Sequence, residues 1–325
     1  MTGELPQKAI LVCPKCHSDL SQNADQLVCA GRECGQRYYI MDDIPVMIPG
    51  DADQIRKDIL SAKQETSMFD RTILGIPLYR IDYNVKKWLY KLCGITLPKI
   101  EDQRGYWLNR GAVYCQEFLE KGYRDFEIFF QDIVVRELQK LKFDSIFEAG
   151  CGFGWNIKRF KKEFPQARVG GLDFSHTQLC NGKRSYLEND SLELTEGDAT
   201  MMPFRDNAYD VGFSLGVFMN IHPKKIGLAI DEMKRVCSKY TVHLEYDENH
   251  AAADLRERRA FKTNIVSHDY RKLYEERGLR ILTFLSAPDF AASYESFLQG
   301  KKEQVERWES WEGASKYILI IAEKI

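Results

Sequence analysis

Two kinds of apolar spacing divide the chain. In residues 51–143 apolar positions recur at intervals of three and four, as in "DADQIRKDILSAKQE" and "FEIFFQDIVVRELQKL". No strand-like alternation appears there, so a mostly helical cap or connector is predicted. Beyond it, short apolar runs are followed by amphipathic stretches. "FDSIFEAGCGFGWNIKRFKKEF" passes from a strand ending at Ala149, through a glycine turn, into a helix beginning near Gly154. "ARVGGLDFS" reads as a second strand ending in Asp173, and "LELTEGDAT" as a third ending in Gly197, Asp198 and Ala199. A fourth runs from Tyr209 to about Leu215. "KYTVHLEYDEN", "GLRILTFLSA" and "KYILIIAEKI" supply three more. Strands alternating with helices argue for an α/β fold.

A chain of 325 residues with 44% hydrophobic content can hold one sizeable α/β domain and smaller units. The pattern divides it into residues 1–50, 51–129 and 130–325. Lys and Arg total 46 against 48 for Asp and Glu, so a net charge of -2 gives no general pull toward polyanions, and nucleic acid is disfavoured as a partner. The basic clusters "KRFKK" and "RERRAFK" read as solvated helix faces. The N-terminus carries no apolar signal-peptide core and no run approaches a membrane span, so a cytoplasmic, soluble protein is expected. Aromatic residues from Tyr79 to Phe130 crowd the connector. They fit core packing, a substrate lid or, in "ILGIPLYRIDYNVKKWLYKL", weak contact with a membrane surface. Residues 288–315, with Trp308 and Trp311, read as a lid or homodimer hairpin.

Four of nine cysteines fall in the first 34 residues as "CPKC" (Cys13, Cys16) and "CAGREC" (Cys29, Cys34). Two close pairs separated by a short segment have zinc-ribbon spacing, because each turn presents two thiolates to one tetrahedral ion. The second pair has four intervening residues where two are usual, which leaves open whether Cys34 or His17 completes the set. With the following "GQRYYIMDDIPVMIPG", this segment resembles the small zinc-ribbon-like family of activator subunits of tRNA and release-factor methyltransferases. The resemblance implies a structural or adaptor role.

The glycine turn departs from a dinucleotide fingerprint, since the third glycine of G-x-G-x-x-G would fall where Trp155 sits. Its glycines are Gly150, Gly152 and Gly154, preceded by Glu148, and a glutamate at a strand end suits a cationic ligand group. This E-x-G-x-G-x-G pattern resembles the first motif of class I S-adenosylmethionine-dependent methyltransferases. "MPFRDNAYDVGFSLGVFMNIH" is similar to that family's P-F-x-D-x-x-[FY]-D segment. The resemblance runs from about Phe130 to the C-terminus. It implies a seven-stranded, mostly parallel Rossmann-like methyltransferase sheet with helices on both faces and an antiparallel last strand. It also implies that Asp173 takes the ribose hydroxyls, Phe174 flanks the adenine and Asp198 accepts from the adenine amine, with Ala199 and Leu215 beside the cofactor.

Methyl transfer from a sulfonium is an in-line displacement dominated by positioning. For a hydroxyl acceptor a general base helps; His222 is the first candidate, or it caps a helix starting at Pro223. Glu245 and His268 are further candidates near strand ends, and Ser267 to Asp269 also reads as a helix start. After the fourth strand stands "SLGVFM", not the Asn/Asp-Pro-Pro-aromatic loop of base-amine and glutamine-amide methyltransferases, which weakens those readings. "YWLNRGAVYCQEFLEKGY" and "SHDYRKLYEERGL" resemble methyltransferases of cell-surface glycan and sugar biosynthesis. The expected acceptor is therefore a hydroxyl of a sugar or glycolipid precursor. The alternatives are an RNA or protein methyltransferase that docks through the zinc module, and a catalytically silent adaptor, against which the intact Glu148, Asp173 and Asp198 argue.

Overall fold

The computed structural model describes residues 7–62, 72–120, 129–187, 192–251, 253–291, 293–294 and 317–325. Tyr123, Phe126, Trp308, Trp311 and the side chain of Tyr79 lie outside the described residues.

Near the N-terminus, β1 (Leu20–Asn23), β2 (Gln26–Cys29), β3 (Arg37–Met41) and β4 (Ile44–Pro45) form an antiparallel four-stranded sheet. Asp42 and Asp43 turn the β3–β4 hairpin with φ of 51° and 57°. Two successive positive values are what a two-residue hairpin turn needs to match strand twist. Helix α1 (Ala52–Leu60) follows, its first turn capped by Asp51, whose carboxylate accepts from the N–H groups of Asp53 and Gln54.

The connector is helical as expected, with one difference. β5 (Thr72–Ile73) and β6 (Ile76–Pro77) form a small hairpin, because Leu74 and Gly75 also adopt positive φ. Helices α2 (Leu78–Cys93), α3 (Arg104–Glu120) and α4 (Phe129–Leu138) complete it. Its described aromatics mostly pack: Tyr83 and Tyr90 lie on Phe261, Phe118 lies on Phe153 and Trp155, and Phe129 and Phe130 meet Phe290. Helix α2 also exposes a second apolar stripe, Ile81, Val85, Trp88 and Leu92.

The large sheet comprises β7 (Ser145–Ala149), β8 (Arg168–Asp173), β9 (Glu193–Glu196), β10 (Tyr209–Leu215), β11 (Cys237–Glu245), β12 (Leu279–Leu285) and β13 (Ile318–Lys324). Its order is β12-β13-β11-β10-β7-β8-β9, with β13 antiparallel to both neighbours and the other described pairs parallel. The α/β expectation of seven mostly parallel strands holds. All five residues of β7 are buried, as a strand covered on both faces requires. One face packs on α4, α5 (Trp155–Glu163) and α6 (His176–Ser185) through Ile133, Val134, Ile157, Phe160 and Leu179. The other packs on α7 (Ile226–Val236) and α9 (Tyr270–Glu275), with α8 (Ala253–Ala260) between them in the chain, and here the cysteine-rich segment contributes too: Leu11, Tyr38 and Met47 share one buried cluster with Phe147, Ala149 and Phe204.

The cysteine-rich segment also closes the β9 edge. Val46 bridges Glu196 in parallel, Met47 N–H donates to Glu196 O at 2.8 Å, and Leu11 bridges Phe204 in antiparallel. An open edge strand would leave these groups unpaired. Above the sheet, α3 lies against α6 so closely that a Cβ on Gly111 would sit 2.5 Å from Gln178 Cγ. Asn181 Nδ2 donates to Gly111 O and Ala112 O, and Ser175 Oγ to Trp107 O, which ties the connector over the carboxyl ends of β7 and β8.

Candidate functional site

At the β7 end, Gly150, Gly152 and Gly154 all have positive φ, of 79°, 55° and 95°. A Cβ on Gly150 would fall 2.3 Å from Val217 Cγ1, so only glycine fits there. Beneath this turn the Glu148 carboxylate is buried. Its Oε1 accepts from Asn156 Nδ2 at 2.6 Å, and its Oε2 has no hydrogen-bond partner among the described residues. Burial pushes the Glu148 carboxyl up to about 8, against the Asn156 hydrogen bond. Gln131 Nε2 donates in turn to Asn156 Oδ1, completing a buried chain of side chains.

Asp173 ends β8 and is also buried. Oδ2 accepts from Gly152 N–H and Oδ1 from Ser175 N–H, each at 2.8 Å. Burial raises its carboxyl to about 6, while those two N–H groups pull the other way. One carboxylate thus ties the glycine turn to the start of α6, and each oxygen keeps a second lone pair. Beyond β9, Asp198 Oδ1 accepts from Thr200 N–H at 2.7 Å and Thr200 Oγ1 at 2.8 Å. A cavity of about 300 Å³ opens beside these groups, lined among others by Phe174, Asp198, Met201, Asn220 and His222. Its wall continues into the connector through Glu101, Gln103 and Arg104. Glu148, the three glycines, Asp173, Ala199 and Leu215 lie outside that lining.

The three expected catalytic residues separate. His222 lines the cavity, and its Nδ1 accepts from Lys224 N–H at 3.2 Å. Helix α7 begins at Ile226, three residues later than expected, so His222 caps the turn that precedes the helix. With Nδ1 accepting, a neutral ring carries its proton on Nε2. Glu245 and His268 stand behind the loop after β10. Glu245 Oε1 accepts from Ser214 Oγ and from the N–H groups of Val217 and Phe218, and Oε2 accepts from Met219 N–H. His268 Nε2 donates to the carbonyls of Phe218 and Ile221, each at 3.1 Å, and burial lowers its ring to about 4, so it stays neutral. Both hold the segment from Val217 to His222 by hydrogen bonds, and neither lines the cavity. Asp269, beside His268, caps α9 by accepting from Lys272 N–H.

Sequence reasoning missed Asn156, Gln131, Ser214 and Gln103. Gln103 Nε2 donates to Asn220 O and Asn264 O, joining the connector to the cavity rim. The available signal was a polar residue inside an otherwise apolar run, as with Ser214 in "GFSLG".

In the cysteine-rich segment the Sγ atoms of Cys13, Cys16, Cys29 and Cys34 all lie within 4.8 Å of one another. Cys13 and Cys34 are 3.6 Å apart, and Cys16 and Cys29 3.4 Å. Four thiolates about 2.3 Å from a tetrahedral zinc would be separated by about 3.8 Å, so the donor set fits that ion. The longer second spacing still brings Cys34 in, and His17 is outside the group. Tyr38 Oη lies 3.1 Å from Cys13 Sγ, and Gly31 N–H donates to Cys29 Sγ, contacts of the kind that orient thiolate ligands.

Demethylmenaquinone methyltransferase of Staphylococcus aureus is 33% identical over 107 residues, 32% of this chain and 42% of that protein. The chain therefore spans less than half the length of the curated relatives it matches. Among solved structures, a Haloferax volcanii complex of a methyltransferase activator with a methyltransferase is 17% identical at a TM-score of 0.48, covering 70% of this chain and 99% of that one. Geranyl diphosphate C-methyltransferase of Streptomyces coelicolor is 19% identical at a TM-score of 0.46, covering 60% and 76%. Residues 146–239, which contain Glu148, the three glycines, Asp173, Asp198 and His222, match the family model of a methyltransferase domain.

Proposed function

We propose that the chain is an S-adenosylmethionine-dependent methyltransferase acting on a small molecule, with a hydroxyl of a sugar or glycan precursor as the acceptor. The observation that carries this is the buried, half-unpartnered Glu148 under a three-glycine turn, one strand from Asp173. An orphaned buried carboxylate oxygen suits the ammonium of an amino acid tail, and the turn leaves backbone room for it. The cofactor supplies an activated methyl on a sulfonium. In this reading Glu148 holds the amino acid end, Asp173 the ribose, Phe174 and Asp198 the adenine, and Ala199 and Leu215 flank it. Glu245 and His268 fix the Val217–His222 segment, His222 lines the acceptor side, and the acceptor hydroxyl would give up its proton to water in the cavity on taking the methyl. The polar wall from Glu101 to Arg104 suits a hydroxylated acceptor. The S. aureus relative is likewise named for a small molecule.

Residues 1–50 then serve as a zinc-ribbon-like unit with zinc on Cys13, Cys16, Cys29 and Cys34, residues 51–129 as cap, and 130–325 as the catalytic unit. Incubation of the protein with radiolabelled S-adenosylmethionine and an extract of its host, followed by fractionation, tests the acceptor. Label is expected in glycolipid or small metabolites; label in RNA or protein would replace this reading.

Cofactor affinity should depend on pH. The Glu148 proton, held up to about 8 by burial, has to leave before the carboxylate pairs with an ammonium. Affinity for S-adenosylhomocysteine is expected to tighten from pH 6 to pH 8, by up to about tenfold per pH unit for one proton. The same raised pKa costs the unliganded fold stability as pH climbs from the unfolded value of 4.5 toward 8, because the unfolded chain ionises first. Titration calorimetry across this range checks it, and a Glu148→Gln variant with the same slope would refute it.

Among the described residues no helix is long and apolar enough to cross a membrane. The exposed stripe of α2, with Leu74 almost fully exposed at the β5–β6 turn, lies in a segment carrying Arg80, Lys86, Lys87 and Lys91. We assign to it a weak contact with an anionic membrane surface. Sedimentation with phosphatidylglycerol vesicles should carry the protein down, and Trp88→Glu should weaken that binding about tenfold. Equal binding by both proteins would remove the assignment.

A further inference from the structure

Where the cysteine-rich segment meets the large sheet, His176 is buried at 2% exposure in the first turn of α6. Two acidic residues reach it from opposite sides. Glu196, at the end of β9, gives Oε1 to Arg104 Nη2 at 2.7 Å and leaves Oε2 3.0 Å from His176 Nδ1. Asp42, on the β3–β4 turn, gives Oδ1 to Arg184 Nη2 at 2.7 Å and leaves Oδ2 3.6 Å from His176 Nε2. Cys180, one helical turn on, places its Sγ 3.4 Å from the same Asp42 oxygen. Among the described residues neither ring nitrogen has an aligned hydrogen bond, and Glu196 Oε2 has none either.

In the metal-free site the Glu196 and Cys180 contacts favour a protonated ring against the cost of burial, so a proton on Nε2 can stand between it and Asp42 Oδ2. With its one proton kept on Nδ1, facing Glu196, the imidazole turns its Nε2 lone pair toward that oxygen, and a metal ion can take the place of the second proton. The thiol says which cation. A nitrogen, an oxygen and a sulfur, all within 4.8 Å of one another, form a triangle with edges of 3.4 and 3.6 Å on the Asp42 side. An ion about 2.0–2.3 Å from each would separate its ligands by about 3.3–3.6 Å. We infer that Asp42, His176 and Cys180 form a second metal site, for a borderline divalent ion such as zinc or cobalt, which clamps the cysteine-rich sheet onto the large sheet.

The mixed donors suit such an ion. His176 and Cys180 are four residues apart on α6 and so share a face. Glu196 stands to the other imidazole nitrogen as the orienting carboxylate of a carboxylate–histidine–metal arrangement. On binding, a metal–sulfur bond forms and the Cys180 thiol proton passes to solvent; with Asp42 ionised, the two anionic ligands neutralise the ion. Asp42 is 43% exposed on its side chain, so water reaches the fourth coordination position. Because Glu196 is two residues from Asp198, the ion would link docking of the cysteine-rich sheet to the cavity wall.

The test uses the full chain, stripped with a chelator and titrated with cobalt(II), following visible absorption and bound metal per chain. Wild type is expected to take two equivalents. Cys180→Ala should take one and keep the intense sulfur-to-cobalt band of the four-cysteine set, while Cys16→Ser should lose that band and keep the Cys180-dependent equivalent. Asp42→Asn, at a partly exposed turn where folding is not at risk, should weaken the second equivalent at least tenfold. A single equivalent in wild type, or two unweakened equivalents in both Cys180→Ala and Asp42→Asn, would overturn the site and leave His176 as an imidazolium between two carboxylates. Circular dichroism confirms that each variant is folded.

Discussion

Asp173→Ala is expected to abolish measurable binding of S-adenosylhomocysteine and to lower stability at the same time. The first effect follows from losing a carboxylate that, in the proposed role, accepts from ribose hydroxyls; charge-assisted hydrogen bonds contribute about 1.5–3 kcal/mol each, so a pair corresponds to at least a hundredfold in affinity. The second follows from the hydrogen bonds already present. Both oxygens accept buried backbone N–H groups, from Gly152 and Ser175, and each orphaned donor costs about 1–3 kcal/mol. Asp173→Asn separates the two, because it keeps one accepting oxygen and nearly the same volume while removing the charge. Calorimetry with the ligand and thermal melts without it should show affinity falling in both variants and the melting point falling furthest in the alanine. Undiminished affinity in Asp173→Asn would remove this residue from the cofactor site.

The other large effect is expected from the four-cysteine set. Cys16 is exposed, so Cys16→Ser takes away a ligand without opening a core cavity. Structural zinc contributes up to about 10–16 kcal/mol in isolated finger peptides; here the segment also packs on the large sheet, so a smaller loss is expected. Loss of only a few kcal/mol would lower the melting point by roughly 5–15 °C. The effect should reach the proposed cofactor site, because Leu11, Tyr38 and Met47 share a buried cluster with Phe147 and Ala149, which flank Glu148 in β7. Bound-zinc analysis, melting curves and S-adenosylhomocysteine affinity on the same samples check this. A variant with no zinc and an unchanged melting point would show that the metal does not support the fold.

Much of the large sheet could be read from the chain because its strands are covered on both faces and appear as unbroken apolar runs bounded by glycine and charge. The fourth strand runs from Tyr209 to Leu215, as its pattern indicates. The β5–β6 hairpin was hidden, since two-residue strands have no period and its turn uses Leu74 where glycine or asparagine would signal it. At the site, residue type located the acids at strand ends but not the direction of their side chains. Glu245 and His268 turn back to hold a loop, and only its N–H and carbonyl groups, set by tertiary folding, explain why. The contact between β4 and β9 was equally out of reach, because it depends on pairing segments far apart in the chain.

That distance has a consequence for how the protein is made. Gln7 Nε2 donates to Leu194 O across 187 positions, so the segment that covers β9 leaves the ribosome long before β9 exists. At about 5–20 residues per second the interval is roughly 10–40 s. During that time the first fifty residues have only their own small sheet and, in the proposed role of the four cysteines, a captured zinc to keep them in shape, with the surface meant for β9 open to any other strand. Metal supply in those seconds, more than in the finished enzyme, would then decide how many chains mature.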